Sequence, residues 1–352
     1  MNIIRLIFLA PFGVLYGLIA LIRRRLYEGN PSRRFVSALP TICMGNLAVG
    51  GTGKTPNVEY LVRLLTPQYR VATLSRGYKR QTKGFLSTLQ NQNLTVEDIG
   101  DEPMQMHVKF PEMEVTVCEQ RKEGLFRLQT SQNRPDVVLL DDAYQHLKVR
   151  CGLNILLTDF ARPYWRDLPL PAGNLREFRS AAESADVVVV TKSPADLTEE
   201  TASSFARENG LYQQKHLFFS TYQYDNPVPL TPLSAGFHLN AQTKILLLTG
   251  IANPQPLLSH LRSQFSDIEH VSFPDHHLFT EDEINRLCQK IAEYGNNSAV
   301  LTTEKDAMRL LSSNLKKIVY LHPFFAIPIK VKFMFNADKE FNKIIIDYVA
   351  KN

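Results

Sequence analysis

The stretch from residue 41 to residue 55 has the residue types and spacing needed to hold a phosphate group. The apolar run TICMGNLAV predicts a short buried strand, and EYLVRLL further on has helical spacing. Between them lies a glycine-rich loop made of Gly50, Gly51, Thr52, Gly53, Lys54 and Thr55. Glycines let the backbone turn its N–H groups inward, and the next helix offers its positive N-terminus. The pattern therefore predicts a phosphate-binding loop, in which Lys54 contacts the outer phosphates and Thr55 binds Mg²⁺.

The loop departs from the general pattern GxxxxGK[ST] at one position, because Ala48 stands where the first glycine is expected. A strand before the loop, a helix after it and three glycines within it still favour phosphate binding over an ordinary glycine-rich turn.

A second apolar run, PDVVLLDDAYQH, ends in two carboxylates, Asp141 and Asp142. Buried strands that end in paired aspartates are typical of the strand that faces Mg²⁺ beside a phosphate loop. On its own this pattern is weak evidence. Combined with the upstream loop, it predicts a metal site at this strand end.

Two further polar motifs allow more than one interpretation from the residues alone. Asp101 in GDEP follows a glycine, as aspartates that cap turns often do. The triplet Asp275-His276-His277 suits a metal site or a solvent-facing segment. Adjacent side chains on a strand point to opposite faces, so at most one of the two histidines is expected to face a site.

Apolar strands alternate with helical segments along most of the chain, which predicts an α/β fold with a parallel sheet covered by helices on both faces. The phosphate loop makes this fold similar to the P-loop NTPases. The Pro-punctuated stretch YQYDNPVPLTPLSAG predicts a link to a second, smaller α/β unit. We therefore expect three parts: an N-terminal helix (1–30), a phosphate-loop domain (31–220) and a second α/β domain (221–352).

The net charge of +5 comes from the N-terminal segment alone. Up to residue 34 there is one acid, Glu28, against six arginines, namely Arg5, Arg23, Arg24, Arg25, Arg33 and Arg34. A basic cluster confined to one apolar segment favours anionic lipid and argues against nucleic acid. The four cysteines show no CxxC spacing and lie in or beside apolar segments, which indicates free thiols and a cytoplasmic protein.

Residues 6–22, LIFLAPFGVLYGLIALI, are apolar throughout and precede three arginines. Seventeen residues are at the short end for a membrane span, and Pro11 and Gly13 weaken the helix. A cleaved signal peptide would be followed by a small-residue cleavage site, which is missing here. We predict a membrane-embedded or interface-seated anchor helix, with a buried core helix as the alternative.

Seven sequence islands in order resemble one known family. GNLAVGGTGKTP, LSRGY, GDEP, DDAYQH, LPAGNLRE, FPDHHLF and TEKDA, together with the N-terminal apolar helix, closely resemble the tetraacyldisaccharide 4′-kinases, membrane-bound enzymes of lipid A synthesis in Gram-negative bacteria. The chain departs from that pattern at Ala143, where we expect Gly, and after Pro323, where no motif is placed.

This resemblance implies transfer of the γ-phosphoryl group of ATP, with Mg²⁺, to the 4′-hydroxyl of an acylated glucosamine disaccharide 1-phosphate at the cytoplasmic face of the inner membrane. It assigns the catalytic base to Asp101, paired with a histidine that we take to be His276 in preference to His277. It also adds Glu177 to the metal ligands Thr55, Asp141 and Asp142. For the lipid substrate it suggests polar residues near the phosphate loop, namely Asn46, Arg76, Tyr78, Arg121, Gln145 and His146.

An alternative from another class is a membrane-recruited P-loop switch or partition-type ATPase that acts on a protein partner. Such a protein would carry the same loop, carboxylate strand and basic anchor. It has no need of the GDEP and DHH motifs, and we therefore favour the kinase.

Overall fold

The computed structural model describes residues 3–352 except 92, 209, 212–215 and 313. These residues form sixteen strands: β1 (Phe35–Val36), β2 (Thr41–Asn46), β3 (Val71–Ser75), β4 (Leu86–Ser87), β5 (Glu114–Val117), β6 (Val137–Asp141), β7 (Val149–Arg150), β8 (Leu153–Asp159), β9 (Val187–Thr191), β10 (Leu217–Tyr224), β11 (Val228–Pro229), β12 (Lys244–Thr249), β13 (Ile268–Ser272), β14 (Ser298–Thr303), β15 (Phe324–Ile327) and β16 (Ile329–Phe333).

The described residues also form twelve α-helices: α1 (Ile3–Glu28), α2 (Lys54–Leu65), α3 (Val96–Ile99), α4 (Asp101–Lys109), α5 (Arg121–Gln129), α6 (Glu199–Glu208), α7 (Pro232–Ala235), α8 (Gln255–Arg262), α9 (Glu281–Tyr294), α10 (Glu304–Leu310), α11 (Lys316–Val319) and α12 (Asp338–Lys351). Short 3₁₀ helices lie at Pro31–Arg33, Tyr164–Arg166 and Arg179–Ser184.

The larger sheet has nine strands in the order β16-β10-β9-β8-β2-β6-β3-β5-β4. Its seven inner strands are parallel, and β16 and β4 pair antiparallel at the two edges. Strands such as VVVVT at β9 are buried along their whole length. Because a parallel sheet needs cover on both faces, helices α2 and α12 pack on one side and α5 and α6 on the other. The predicted α/β fold is confirmed.

The smaller sheet has five strands in the order β11-β15-β14-β12-β13, of which β12, β13, β14 and β15 are parallel. Helices α9 and α8 cover its two faces. The smaller sheet contacts the larger one through α10, whose residues pack in a small core with residues of α4.

The chain returns to the larger sheet at its C-terminal end, which differs from the predicted division at residue 221. That division falls inside β10, and β16 pairs with β10 after the second sheet is complete. Phe341, Ile345 and Val349 of α12 then pack into the core beneath the larger sheet. The tail after Pro323, to which the sequence assigned no role, therefore adds β15 to the smaller sheet and adds β16 and α12 to the larger one.

Helix α1 lies against the body of the protein along one narrow side, where Gly13, Gly17 and Arg24 are buried. No helix in the residues that the structure describes is long and apolar enough to cross a bilayer, so the predicted N-terminal membrane helix is not supported as a membrane span.

Candidate active site

The phosphate loop connects β2 to α2 and is held in shape by its neighbours. Gly50 and Gly53 have φ angles of 105° and 84°, in the region that favours glycine. A Cβ atom on Gly53 would also lie 2.0 Å from the hydroxyl oxygen of Tyr222. The Thr191 hydroxyl donates to the Thr52 carbonyl over 2.9 Å. The backbone therefore has a fixed path that directs the N-terminus of α2 into the loop, where its first N–H groups lack helical partners.

Lys54 begins α2 and lies between two groups on neighbouring strands. Its Nζ is 3.5 Å from Oδ1 of Asn46, at the end of β2, and 3.7 Å from Oδ1 of Asp142, just beyond β6. Asn46 is fully buried, and its own amide donates to the Ala48 carbonyl over 2.7 Å. The ammonium group is thus placed at the loop by polar partners, as a residue that contacts phosphate requires.

Asp142 has a positive φ of 47° and accepts hydrogen bonds from Nη1 of Arg176 over 3.0 and 3.2 Å. Burial alone would raise the pKa of Asp142, but the charges of Lys54 and Arg176 outweigh it and hold that pKa below its usual range. Asp142 is therefore an anion at neutral pH.

Asp141 is a buried carboxylate at the end of β6. Its Oδ1 is buried without a hydrogen-bond partner, and so is Oγ1 of Thr52 in the loop. Burial, followed by the charge of Glu102, raises the pKa of Asp141 to about 7. The described residues hold no group of three or more His, Cys, Asp or Glu that could bind a metal. A site with few protein ligands suits Mg²⁺, which keeps several waters and binds substrate phosphates.

Two of the predicted residues are bonded to other protein groups. Both carboxylate oxygens of Glu177 accept hydrogen bonds from Arg24, over 2.6 and 3.0 Å. Arg121 is buried and donates to the carbonyls of Cys118 and Asp141 over 2.6 and 3.3 Å. Glu177 as a metal ligand and Arg121 as a substrate residue stay predictions, and in this structure both support the strand ends.

The other predicted substrate residues surround the end of β3 and the segment after β6. Arg76 and Tyr78 are exposed, whereas Gln145 and His146 are half-buried. Nε2 of Gln145 donates to the Asn46 carbonyl over 2.9 Å. Burial, followed by the charge of Arg121, lowers the pKa of His146 to about 4, so this histidine is neutral.

Asp101 and His276 come together from the two sheets. Asp101 is the first residue of α4, where Gly100 precedes it with a φ of 92°, and GDEP therefore begins a helix. Nδ1 of His276 lies 3.1 Å from Oδ2 of Asp101, and the ring of Tyr78 meets the His276 ring edge-on at 5.4 Å. These residues line a cavity of about 320 Å³. The residue next to Asp101 is Glu102, whose charge contributes to the raised pKa of Asp141.

His277 turns away from this cavity. Its Nε2 lies 3.0 Å from Glu283, and its ring stacks on Phe273 with 4.5 Å between ring centres. The structure thus brings Asp101 together with the preferred histidine, His276.

Sequence analysis missed two basic residues at this pair, both in α10. Arg309 donates to Oδ2 of Asp101 from Nε and Nη2 over 3.2 and 2.7 Å. Nζ of Lys305 lies 3.1 Å from Nε2 of His276 and 3.1 Å from Glu102. Burial would raise the pKa of Asp101, but the His276 hydrogen bond and the charges of Lys305 and Arg309 hold it well below its usual range. The only available signal was the motif TEKDA, which begins α10.

Comparison with known proteins finds similar sequences over nearly the whole length of the chain. Residues 5–350 match the model of the Tetraacyldisaccharide-1-P 4′-kinase family. Among similar proteins, a tetraacyldisaccharide 4′-kinase of Flavobacterium johnsoniae is 42% identical over 100% of this chain and 99% of its own length. One of Bacteroides thetaiotaomicron is 40% identical over 98% of this chain and 93% of its own length.

A solved structure is also similar. It is LpxK from Aquifex aeolicus, described as an "apo" form in complex with ATP, and it is 29% identical with a TM-score of 0.74 over 97% of this chain and 98% of that one. The chain described here therefore belongs to the tetraacyldisaccharide 4′-kinase family.

Proposed function

We propose that this protein transfers the γ-phosphoryl group of ATP to the 4′-hydroxyl of a tetraacyldisaccharide 1-phosphate in lipid A synthesis. The observation that carries the proposal is the contact of Asp101 with His276 between the two sheets, in a protein that also has a phosphate loop on the larger sheet. A P-loop switch or ATPase requires only the phosphate loop.

The acceptor hydroxyl needs a base within hydrogen-bond reach, and Asp101 is the candidate. Its Oδ2 contacts His276 and Arg309, whereas among the residues that the structure describes its Oδ1 accepts a single hydrogen bond, from the backbone N–H of Glu102 over 3.0 Å. Oδ1 is therefore the atom that we assign to the proton. The low pKa of Asp101 keeps it ionised at neutral pH, and His276 orients it from the second unit.

The transfer makes one bond and breaks one. The 4′-oxygen attacks the γ-phosphorus as its proton passes to Asp101, and the bond to the β-phosphate oxygen breaks, so that ADP leaves with the electron pair. Catalysis of this kind depends mainly on positioning and charge neutralisation. Lys54 and the loop N–H groups, from Gly50 to Thr55, hold the β- and γ-phosphates.

Mg²⁺ would be held by Thr55 and by Asp141 or Asp142, directly or through water, and supplies positive charge to the transferring group. The buried Oδ1 of Asp141 without a partner supports this placement. We keep Glu177 as a further candidate ligand, which would first have to leave Arg24.

Residues near the loop suit an acceptor with a phosphate and a sugar face. Arg76 is an exposed cation and Tyr78 an exposed ring beside His276. Asn46, Gln145 and His146 offer amide and imidazole groups. Arg121 lies below the strand end and contributes a positive charge.

We further propose that α1 lies in the interface of the inner membrane. The residues of α1 that face away from the body include Phe8, Phe12, Leu15, Ile19 and Ile22, each more than half exposed. Their spacing of four, three, four and three residues forms one continuous apolar stripe. Arg23 and Arg25 are exposed beside it and suit anionic headgroups.

The test is to incubate the protein with γ-labelled ATP, Mg²⁺ and tetraacyldisaccharide 1-phosphate in mixed micelles. We expect one labelled lipid, heavier than the acceptor by one phosphate and resistant to further phosphorylation. Release of inorganic phosphate without a labelled lipid would refute the kinase and favour an ATPase.

A further inference from the structure

The long loop between β8 and β9 forms part of the ATP site through its backbone. The N–H of Val49 donates to the Asn174 carbonyl over 2.8 Å, and the N–H of Arg176 donates to the Leu47 carbonyl over 2.7 Å. These bonds lie immediately before the glycines of the phosphate loop. The same segment supplies the Arg176 side chain that neutralises Asp142. Any movement of this loop would therefore also move Asp142 and the phosphate loop.

Helix α1 packs on the same loop at unusually short range. A Cβ atom on Gly13 would lie 2.9 Å from the Pro169 carbonyl oxygen, and one on Gly17 would lie 2.5 Å from the ring of Phe178. Side chains larger than hydrogen cannot fit at either position without movement. The two glycines let the helix lie directly on the loop that carries Arg176.

Arg24 lies further along the same face of α1 and stabilises this contact. It is 5% exposed, and its guanidinium donates to both oxygens of Glu177, as well as to Ser184 over 3.1 Å and to the Tyr144 carbonyl over 3.4 Å. Nη1 also donates to Glu28 over 3.0 Å. Its neighbour Arg25 is exposed. A buried, bidentate arginine with every nitrogen bonded fixes a single geometry.

We propose that Arg24 is a positioning residue that couples helix α1 to the ATP site. Arg24 binds Glu177, and Glu177 is the direct neighbour of Arg176 in the chain. Arg176 pairs with Asp142, and Asp142 in turn faces Lys54. The packing of α1 against the rest of the protein thereby fixes the position of Arg176 and of the phosphate loop. The inference rests on the proposed function, because it assigns a role in phosphoryl transfer to a residue remote from the reacting atoms.

The test compares Arg24→Gln with Arg207→Gln, which removes the same charge from an exposed position on α6. We expect Arg24→Gln to lower kcat by about 10- to 100-fold, the range for displaced supporting groups, and Arg207→Gln to stay within about twofold of wild type. Vesicle binding should stay near wild type in both variants, because Arg24 is buried against Glu177 and Arg207 lies outside α1. Arg24→Lys, which keeps the charge, should recover part of the lost kcat.

Two further variants separate positioning from folding. Combined with Arg176→Gln, Arg24→Gln should cost less than the product of the two single losses, because both act on the same contact. Ser184→Ala removes the bond that Arg24 donates to Ser184 and the bond that Ser184 donates to Glu28, but leaves the Arg24–Glu177 pair, and we expect a smaller loss of kcat with the fold intact.

A folded Arg24→Gln enzyme with wild-type kcat, or losses that multiply fully with Arg176→Gln, would overturn the coupling. If Arg24→Gln does not fold, an undiminished kcat in Ser184→Ala and Arg24→Lys would overturn it instead. A wild-type protein that phosphorylates no lipid would refute the proposed function itself, which is a different outcome.

Discussion

Replacing Arg309 by methionine should test how the two sheets hold Asp101, the carboxylate that we propose as the base. Arg309 is 4% exposed and lies between two buried acids, Asp101 and Asp306, at 2.7 and 2.8 Å. Methionine keeps much of the volume but leaves both acids without their cation. Removing one partner of a buried ion pair costs about 3–5 kcal/mol, so we expect a loss of unfolding free energy of that order.

The loss should depend on pH in a definite direction. The pKa of Asp101 in the folded protein lies below its usual value, so its ionised form stabilises the fold above about pH 4, and this contribution is lost as the pH falls. Without Arg309 the cost of burial is less well offset, and the pKa of Asp101 rises. The difference in unfolding free energy between wild type and variant should therefore be largest above about pH 4 and shrink as the pH falls below that value.

Urea denaturation of both proteins from about pH 7 down to about pH 2 measures that difference. Arg286→Met, at an exposed position on α9, serves as the matched control and should change the unfolding free energy by less than about 0.5 kcal/mol. A difference for Arg309→Met that is below about 1 kcal/mol, or that does not change with pH, would refute the role given to this ion pair.

Two other predictions address the ATP site and the membrane. Lys54→Ala should abolish lipid phosphorylation and leave the thermal unfolding temperature near that of wild type, because the charge of Lys54 acts on phosphates. Near-normal turnover would show that this loop is not the ATP site. Phe12→Glu combined with Ile19→Glu should release the protein from anionic vesicles in a sedimentation assay while Arg24 stays in place, since both side chains are exposed on α1; full sedimentation of this variant would show that another surface docks.

Local features of the site could be predicted from the sequence because each is set within a few residues. The strand, glycines and helix around Lys54 are contiguous, and the carboxylates after β6 follow a fully buried strand. Alternation of neighbouring side chains predicted only that at most one of His276 and His277 faces the site, and His276 was preferred within the family resemblance. The two histidines lie beyond the end of β13, and the structure directs them to different partners.

Contacts between distant parts of the chain could not be predicted in this way. Arg309 meets Asp101 across 208 residues, and nothing in the periodicity of α10 indicates which sheet edge it faces. The same holds for α12, whose apolar stripe predicts burial but not the sheet that it covers. Arg24 was hidden in a run of three arginines, although its spacing from Gly13 and Gly17 places the three on one face of α1.

Asp101 as the base and His276 as its partner are the centre of the proposed function, and a double-mutant cycle on kcat tests these roles directly. Asp101→Ala should lower kcat by about 10²–10⁴-fold with little change in ATP affinity, because a base acts on the acceptor hydroxyl while Lys54 and the loop hold the nucleotide. His276→Ala should lower kcat less, the double variant should be little worse than Asp101→Ala alone, and His277→Ala should stay near wild type. Fully multiplicative losses, or an Asp101→Ala enzyme that keeps most of its activity, would contradict the account.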